Sequence, residues 1–138
     1  MYGQNREQMR LMYQTSWEKY QQKQVLEGVE LLIVEVLKQH PEYQTMVTDP
    51  TALQDDFSET NQVNPYMHMG MHITLAEQIG TDRPAGIRQI YQTLRRKVAD
   101  AHQAEHQMMA CLERVLWEAQ TAGTAPDEQQ YLEHLRRV

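Results

Sequence analysis

The most informative segment of the sequence is Asn64-Pro65-Tyr66-Met67-His68-Met69-Gly70-Met71-His72-Ile73-Thr74-Leu75-Ala76. Asparagine followed by proline is a typical helix start, because asparagine caps the first free amides and proline fits the first helical position. The pattern predicts a helix from Pro65 to about Ile79, ending at Gly80. This helix is apolar nearly all round, which is typical of an enclosed, central helix.

Amphipathic helices are predicted on both sides of this stretch, because apolar side chains recur with the helical period and no segment alternates as a strand would. Capping residues mark several starts, and Gly123 marks an end. Pro41 either stops a helix or starts a new short turn. The predicted helices are Arg6–Gln22, about Val25–Gln39, Pro84 to about Val98, Ala101 to about Ala122, and a short last helix, Asp127–Arg137. We therefore expect an all-α fold, a compact helical bundle of about five to six helices.

The length of 138 residues fits a single helical domain, 1–138, with one core. An acidic connection is expected at about 48–63, with at most one short helix around Thr51–Asp55. Neither a signal peptide nor an apolar run of roughly 18 to 20 residues is present, so we expect a cytoplasmic protein that does not enter a membrane. Cys111 is the only cysteine, which excludes an internal disulfide and a thiolate zinc site. The net charge of −6 argues against a nucleic-acid partner.

Two pairs of histidines have the spacing of metal ligands on one face of a helix. His68 and His72 are four residues apart, and so are His102 and His106. This spacing brings the Cβ atoms to about 6 Å, so both imidazoles of a pair can bind one ion. Both pairs are expected on core-facing sides. We therefore predict that the two pairs share a metal ion, and the alternative is hydrogen-bonded core histidines or an exposed second pair.

Glu30 is the best candidate for a fifth ligand, because Ile33, Val34 and Leu37 follow it at helical spacing and place it beside an apolar stripe. The alternative is a glutamate on the flank of the helix. Neutral imidazole suits zinc, iron, nickel and copper. We expect iron or zinc first, with nickel or copper as alternatives, in a mononuclear site.

Two motifs that would indicate a more specific function, a zinc peptidase or a copper(I) site, are disfavoured. His102-Gln103-Ala104-Glu105-His106 spells the inverted zinc-peptidase motif, but such enzymes need a distal acidic ligand and a substrate cleft that a short bundle hardly accommodates. The alternation of methionine and histidine in residues 67–72 resembles a copper(I) loop. In a helix, however, alternate residues diverge by about 200°, so core packing is the better interpretation of these methionines.

Blocks of sequence over most of the chain carry a family resemblance. They are Trp17-Glu18-Lys19, His40-Pro41-Glu42-Tyr43, Asn64-Pro65-Tyr66-Met67-His68 with His72, Glu77-Gln78, Thr81-Asp82-Arg83-Pro84-Ala85-Gly86-Ile87, the pair His102 and His106, and Cys111-Leu112 with Trp117-Glu118-Ala119-Gln120. Together they resemble a family of small, uncharacterised proteobacterial proteins defined as a domain of unknown function. The resemblance implies that the four histidines and Glu30 belong to the bacterial family's pattern. That pattern often has a further histidine where this chain has Gln44.

Two hypotheses about function remain open. The first is a metal-binding helical bundle, redox-active with iron or hydrolytic with zinc, acting on a small molecule that the sequence does not identify. The second is a non-catalytic interaction or dimerisation module with structural histidines, whose exposed aromatic and methionine side chains pack on a partner, such as a second copy in a homodimer. No residue is assigned a catalytic role, and the pattern leaves open whether the protein is an enzyme.

Overall fold

The computed structural model describes residues 2–48 and 65–138, with side chains from residue 7 onward. These residues form α-helices and contain no strand, which confirms the all-α prediction for this part of the chain. The helices are α1 (Tyr2–Gln21), α2 (Val29–Gln39), α3 (Pro41–Thr48), α4 (Pro65–Thr81), α5 (Ile87–Lys97), α6 (Ala101–Ala122) and α7 (Glu128–Arg136).

The seven helices of the described residues correct the expected number of five to six. The additional helix is α3, which begins at Pro41 directly after α2. Proline is well suited to a first helical position, because its missing amide would have no intrahelical partner there. His40 separates the two helices with φ −128° and ψ 74°, outside the helical region.

The chain divides into two compact units, Met1–Ile73 and Thr74–Val138, here called unit 1 and unit 2. The single domain over 1–138 stays a prediction. The acidic connection after Thr48 and the short helix around Thr51–Asp55 lie outside the described residues. No described helix is both long and apolar enough to cross a membrane.

In unit 1, α1 packs on α2 and α3, and α2 packs on α3. The buried face of α1 carries Tyr13 and Trp17, and also Arg10, which is only 1% exposed. The guanidinium of Arg10 lies over the ring of Tyr66, 4.6 Å from its centroid, and Tyr13 meets that ring edge-on. The buried core of this unit consists of Tyr13, Trp17, Ile33, Val34, Val36, Leu37, Val47, Tyr66 and Met69.

In unit 2, α6 packs on α5 and α7, and α5 packs on α7. Local side chains set the helix ends: the Asp100 carboxylate accepts from the His102 amide, as expected of an N-cap, and Gly123 adopts φ 71° at the end of α6. The buried apolar side chains of unit 2 are Leu75, Ile87, Leu94, Ala104, Met108, Met109, Leu112, Val115, Ala119, Tyr131, Leu132 and Leu135.

The turn between α4 and α5 is held by Asp82 and Arg88. Asp82, at φ 54°, accepts hydrogen bonds at Oδ1 from the amides of Gly86 (3.1 Å) and Arg88 (3.0 Å). The guanidinium of Arg88 lies at the end of α4 and donates to the carbonyl oxygens of Ile79 and Gly80. α5 therefore begins at Ile87, later than the predicted Pro84, because the capped amides belong to residues 86 and 88.

Replacing Asp82 by alanine should destabilise the protein, because the amides of Gly86 and Arg88 lose their acceptor. We expect the free energy of unfolding to fall by about 1 kcal/mol, the usual cost of losing a helix cap. Asp82→Asn is the control, since asparagine keeps an acceptor oxygen and tolerates positive φ. Urea denaturation measures both variants, and an equal loss in each would contradict the capping role.

Candidate metal centre

Pro41 determines how the end of α2 presents His40. Because proline has no amide hydrogen, the Leu37 carbonyl loses its usual helical donor. The His40 amide (3.2 Å) and the Gln44 side-chain amide (3.0 Å) donate to it instead. The Val36 carbonyl oxygen, which the His40 amide no longer contacts, forms a hydrogen bond with Nδ1 of the His40 ring instead, at 2.8 Å. His40 is 4% exposed, so the ring is held inside the protein.

The hydrogen bond to Val36 selects the tautomer of His40. A carbonyl oxygen only accepts, so Nδ1 carries the hydrogen and, in the neutral ring, Nε2 carries the lone pair. Metal-binding histidines commonly have this arrangement, in which one nitrogen donates to a backbone carbonyl and the other faces the ion.

His68 and His72 lie one turn apart on α4, as their spacing predicts. Their Nε2 atoms are 3.2 Å apart. Two nitrogens bound to one zinc ion at about 2.0 to 2.1 Å in tetrahedral geometry would be about 3.3 Å apart. The separation also suits a hydrogen bond between one protonated and one unprotonated nitrogen, so it fits both a metal-bound pair and a metal-free one. His72 is 4% exposed and His68 is half-buried.

The three histidines of unit 1 converge. The centroid of the His40 ring lies 5.0 Å from that of His68 and 4.9 Å from that of His72, and the latter two are 4.8 Å apart. Each ring offers a nitrogen within 4.8 Å of the nitrogens of the other two. A small movement of these side chains would therefore let all three bind one ion.

Tyr43 forms one wall of the histidine cluster. Its ring is stacked on His40 at 5.1 Å with an interplanar angle of 10°, and it meets His68 edge-on at 6.3 Å. Burial, followed by the nearby charge of Glu42, raises the pKa of the Tyr43 phenol, so the phenol stays neutral at physiological pH. Tyr43 thus adds an aromatic surface to the cluster and no charge.

The second predicted pair lies in unit 2, on the first two turns of α6. The ring centroids of His102 and His106 are 4.2 Å apart, so this pair also forms one face of a helix as its spacing predicts. His102 is half-buried and His106 is exposed. That both pairs share a single ion stays a prediction.

Glu30, the predicted fifth ligand, lies in the first turn of α2. Its carboxylate accepts from the Lys19 ammonium at 2.7 Å and from the Glu27 amide at 3.1 Å. His40 follows the last turn of the same helix, ten residues later, and at 1.5 Å per residue this separation is about 15 Å. The structure therefore brings Glu30 to the turn between α1 and α2 and not to the three histidines of unit 1.

His40 is the candidate ligand that the sequence pattern did not select. It precedes His68 by 28 positions in the numbering, so no helical spacing relates the two residues. The available signal was the His40-Pro41 pair, because a proline after a histidine at a helix end leaves a carbonyl for the ring to bind. The resemblance block that begins at His40 pointed to the same place without assigning it a role.

The Glu30→Gln variant tests whether the Glu30 carboxylate only pairs with Lys19 or also binds the metal ion. The hydrogen bond from Lys19, followed by that from the Glu27 amide, lowers the pKa of Glu30, so its contribution to stability is present above the unfolded-state pKa and lost as pH falls through the folded one. We expect the variant to be less stable than the wild type at pH 7, with the difference shrinking below about pH 4. Metal affinity should be unchanged.

Glu35→Gln provides the matched control on the same helix, because Glu35 is exposed. Thermal unfolding between pH 3 and pH 7 measures the stability of both variants, and titration with Zn²⁺ measures their affinity. A loss of zinc affinity confined to Glu30→Gln would make Glu30 a ligand, as the sequence pattern predicts.

Comparison with known proteins and protein families identifies the family of this chain. The searches of curated proteins and of solved structures found no match. A family model described as "Domain of unknown function (DUF1841)" matches residues 5–137 and so covers nearly the whole chain. The chain belongs to this family, whose description states no activity, ligand or partner.

Proposed function

We propose that this protein binds a divalent transition-metal ion through His40, His68 and His72. The observation that carries the proposal is the convergence of the three rings in unit 1, with centroids 4.8 to 5.0 Å apart. Three neutral imidazoles favour zinc, iron, nickel or copper over magnesium and calcium, which prefer oxygen ligands. Iron and zinc are our first expectations.

The ligand set suits a site with an open coordination position. Catalytic zinc sites commonly have three protein ligands and a water molecule, whose pKa the metal lowers to about 7. With zinc, such a site could hydrolyse a substrate, and with iron it could bind dioxygen. The sequence-based prediction that His102 and His106 bind the same ion is the alternative to such an open site. A cytoplasmic location remains part of the proposal, and the net charge of −6 favours a partner other than nucleic acid.

A second candidate function, an interaction module that forms a homodimer, rests on a different observation. On α1, Met9, Leu11 and Met12 are 44% to 51% exposed. Exposed methionine and leucine side chains close together on one helix suit a protein interface. Under this alternative, His68 and His72 have a structural role and the 3.2 Å contact is a hydrogen bond.

Metal analysis of protein purified without an affinity tag tests the first proposal. We expect close to one equivalent of metal per chain, or a saturable site after reconstitution with Zn²⁺ or Co²⁺. Changing a residue that only supports a ligand weakens binding by about 10- to 100-fold, so loss of a ligand in His40→Ala or His72→Ala should cost more than about 100-fold. Calorimetry and the visible spectrum of the Co²⁺ form provide the two readouts.

His134→Ala is the matched control, because it removes a half-buried histidine of α7 that belongs to neither pair. The double variant His102→Ala/His106→Ala tests the shared ion: a similarly large loss of affinity supports a contribution of this pair to the same ion, and unchanged affinity assigns the ion to unit 1 alone. Wild-type protein that binds neither Zn²⁺ nor Co²⁺ would refute the metal proposal.

The interaction module would then be tested by the oligomeric state of the protein. A homodimer that dissociates in the variant Met9→Ser/Met12→Ser would support this second candidate function.

A further inference from the structure

A cleft in unit 2, between α5 and the end of α7, has the features of a small-molecule site. Its volume is about 310 Å³, at the lower end of the range usual for ligand pockets. It lies within unit 2 and includes none of the three histidines of unit 1. Its lining residues are Gly86, Gln89, Ile90, Thr93, Leu94, Lys97, Leu135, Arg136 and Val138.

The cleft has an apolar side and a polar side. From α5 it takes residues at helical spacing, so almost the full length of one face of this helix borders it. Ile90, Leu94 and Leu135 supply apolar surface, and Leu94 and Leu135 are at most 5% exposed. Gln89 and Thr93 add uncharged polar groups. Such a combination is typical of sites for molecules with an apolar body and few polar groups.

Two cations line the cleft, Lys97 from α5 and Arg136 from α7. No Asp or Glu side chain lines it, and within the described residues neither cation forms an ion pair or a side-chain hydrogen bond. This local excess of positive charge contrasts with the net charge of −6 for the whole chain. An anionic group entering the cleft would therefore meet two cations that form no ion pair with a described carboxylate.

Cations also occur at the ends of helices for a structural reason, because they favour the negative end of the helix dipole. At the end of α5, however, Arg95 performs this role by donating to the carbonyl oxygens of Val98 (3.1 Å) and Ala99 (2.6 Å). Lys97 is not needed for that cap. Arg136 lies in the last turn of α7, where the dipole favours a cation, but the dipole does not require Lys97 and Arg136 to border the same cleft.

We propose that this cleft binds a small organic monocarboxylate with an apolar body. The carboxylate pairs with Lys97 and Arg136, and the apolar body packs on Ile90, Leu94 and Leu135. Arginine suits this role because its guanidinium can form two parallel hydrogen bonds to a carboxylate. The site is independent of the proposed metal centre, so either proposal can fail without the other.

NMR titration of ¹⁵N-labelled protein tests the proposal with 4-phenylbutyrate as the probe. We expect saturable shift changes concentrated in residues 86–97 and 135–138. 4-Phenylbutanol, which has the same body without the charge, should bind at least tenfold more weakly, and so should inorganic phosphate, which lacks the apolar body. Equal binding of any two of the three, or shift changes centred on another part of the chain, would overturn the proposal.

Variants test the assignment of residues. Lys97→Gln/Arg136→Gln should weaken 4-phenylbutyrate binding at least tenfold, and Thr93→Trp should weaken it similarly by filling the cleft from an exposed position. Arg96→Gln/Arg137→Gln is the matched control, since it removes two neighbouring exposed cations that do not line the cleft. An equal loss in the control would show a general charge effect and overturn the site, as would unchanged affinity in Lys97→Gln/Arg136→Gln.

Discussion

The hydrogen bond from Nδ1 of His40 to the Val36 carbonyl oxygen links the backbone of unit 1 to the chemistry of its histidines. It exists because Pro41 ends α2, which shifts the His40 amide to Leu37 and leaves the Val36 carbonyl to the ring. The same proline begins α3, which carries the Tyr43 ring stacked on His40. One residue without an amide hydrogen thus determines a helix boundary, a tautomer and the orientation of a ring.

The local features of the candidate site could be predicted from the sequence, and its long-range features could not. The pairing of His68 with His72, and of His102 with His106, follows from helical geometry alone and is present on α4 and α6. The meeting of His40 with His68 depends on how α2 and α4 pack, which periodicity does not encode. Glu30, whose role as a ligand stays a prediction, shows the same limit: periodicity gives its helical position beside the core, but not the contacts of its carboxylate with Lys19 and the Glu27 amide at the turn between α1 and α2.

For the fold, too, local features could be predicted from the sequence, whereas contacts between distant residues could not. The class, the start of α4 at Pro65 and the end of α6 before Gly123 agree with local signals. On α1, however, Met9, Met12 and Tyr20 recur with the helical period expected of a buried face but are 39% to 45% exposed, whereas Arg10 is buried. Hydropathy ranks arginine as a surface residue, but the aromatic ring of Tyr66 provides a face on which a guanidinium can stack inside the protein. A pattern of apolar residues cannot anticipate such a partner 56 positions away in the numbering.

The position of His40 far from His68 along the chain has a consequence for the unfolded state. An ion held by both residues would act as a cross-link that closes a loop of roughly 30 residues, because 28 positions separate the two. Cross-links of this length reduce the conformational entropy of the unfolded chain by an amount worth about 3 to 4 kcal/mol in simple chain models. Two histidines one turn apart on α4 would give almost none of this effect. The third histidine would thus make the ion a topological constraint on the chain, and the stability of the folded protein would rise with the concentration of free metal.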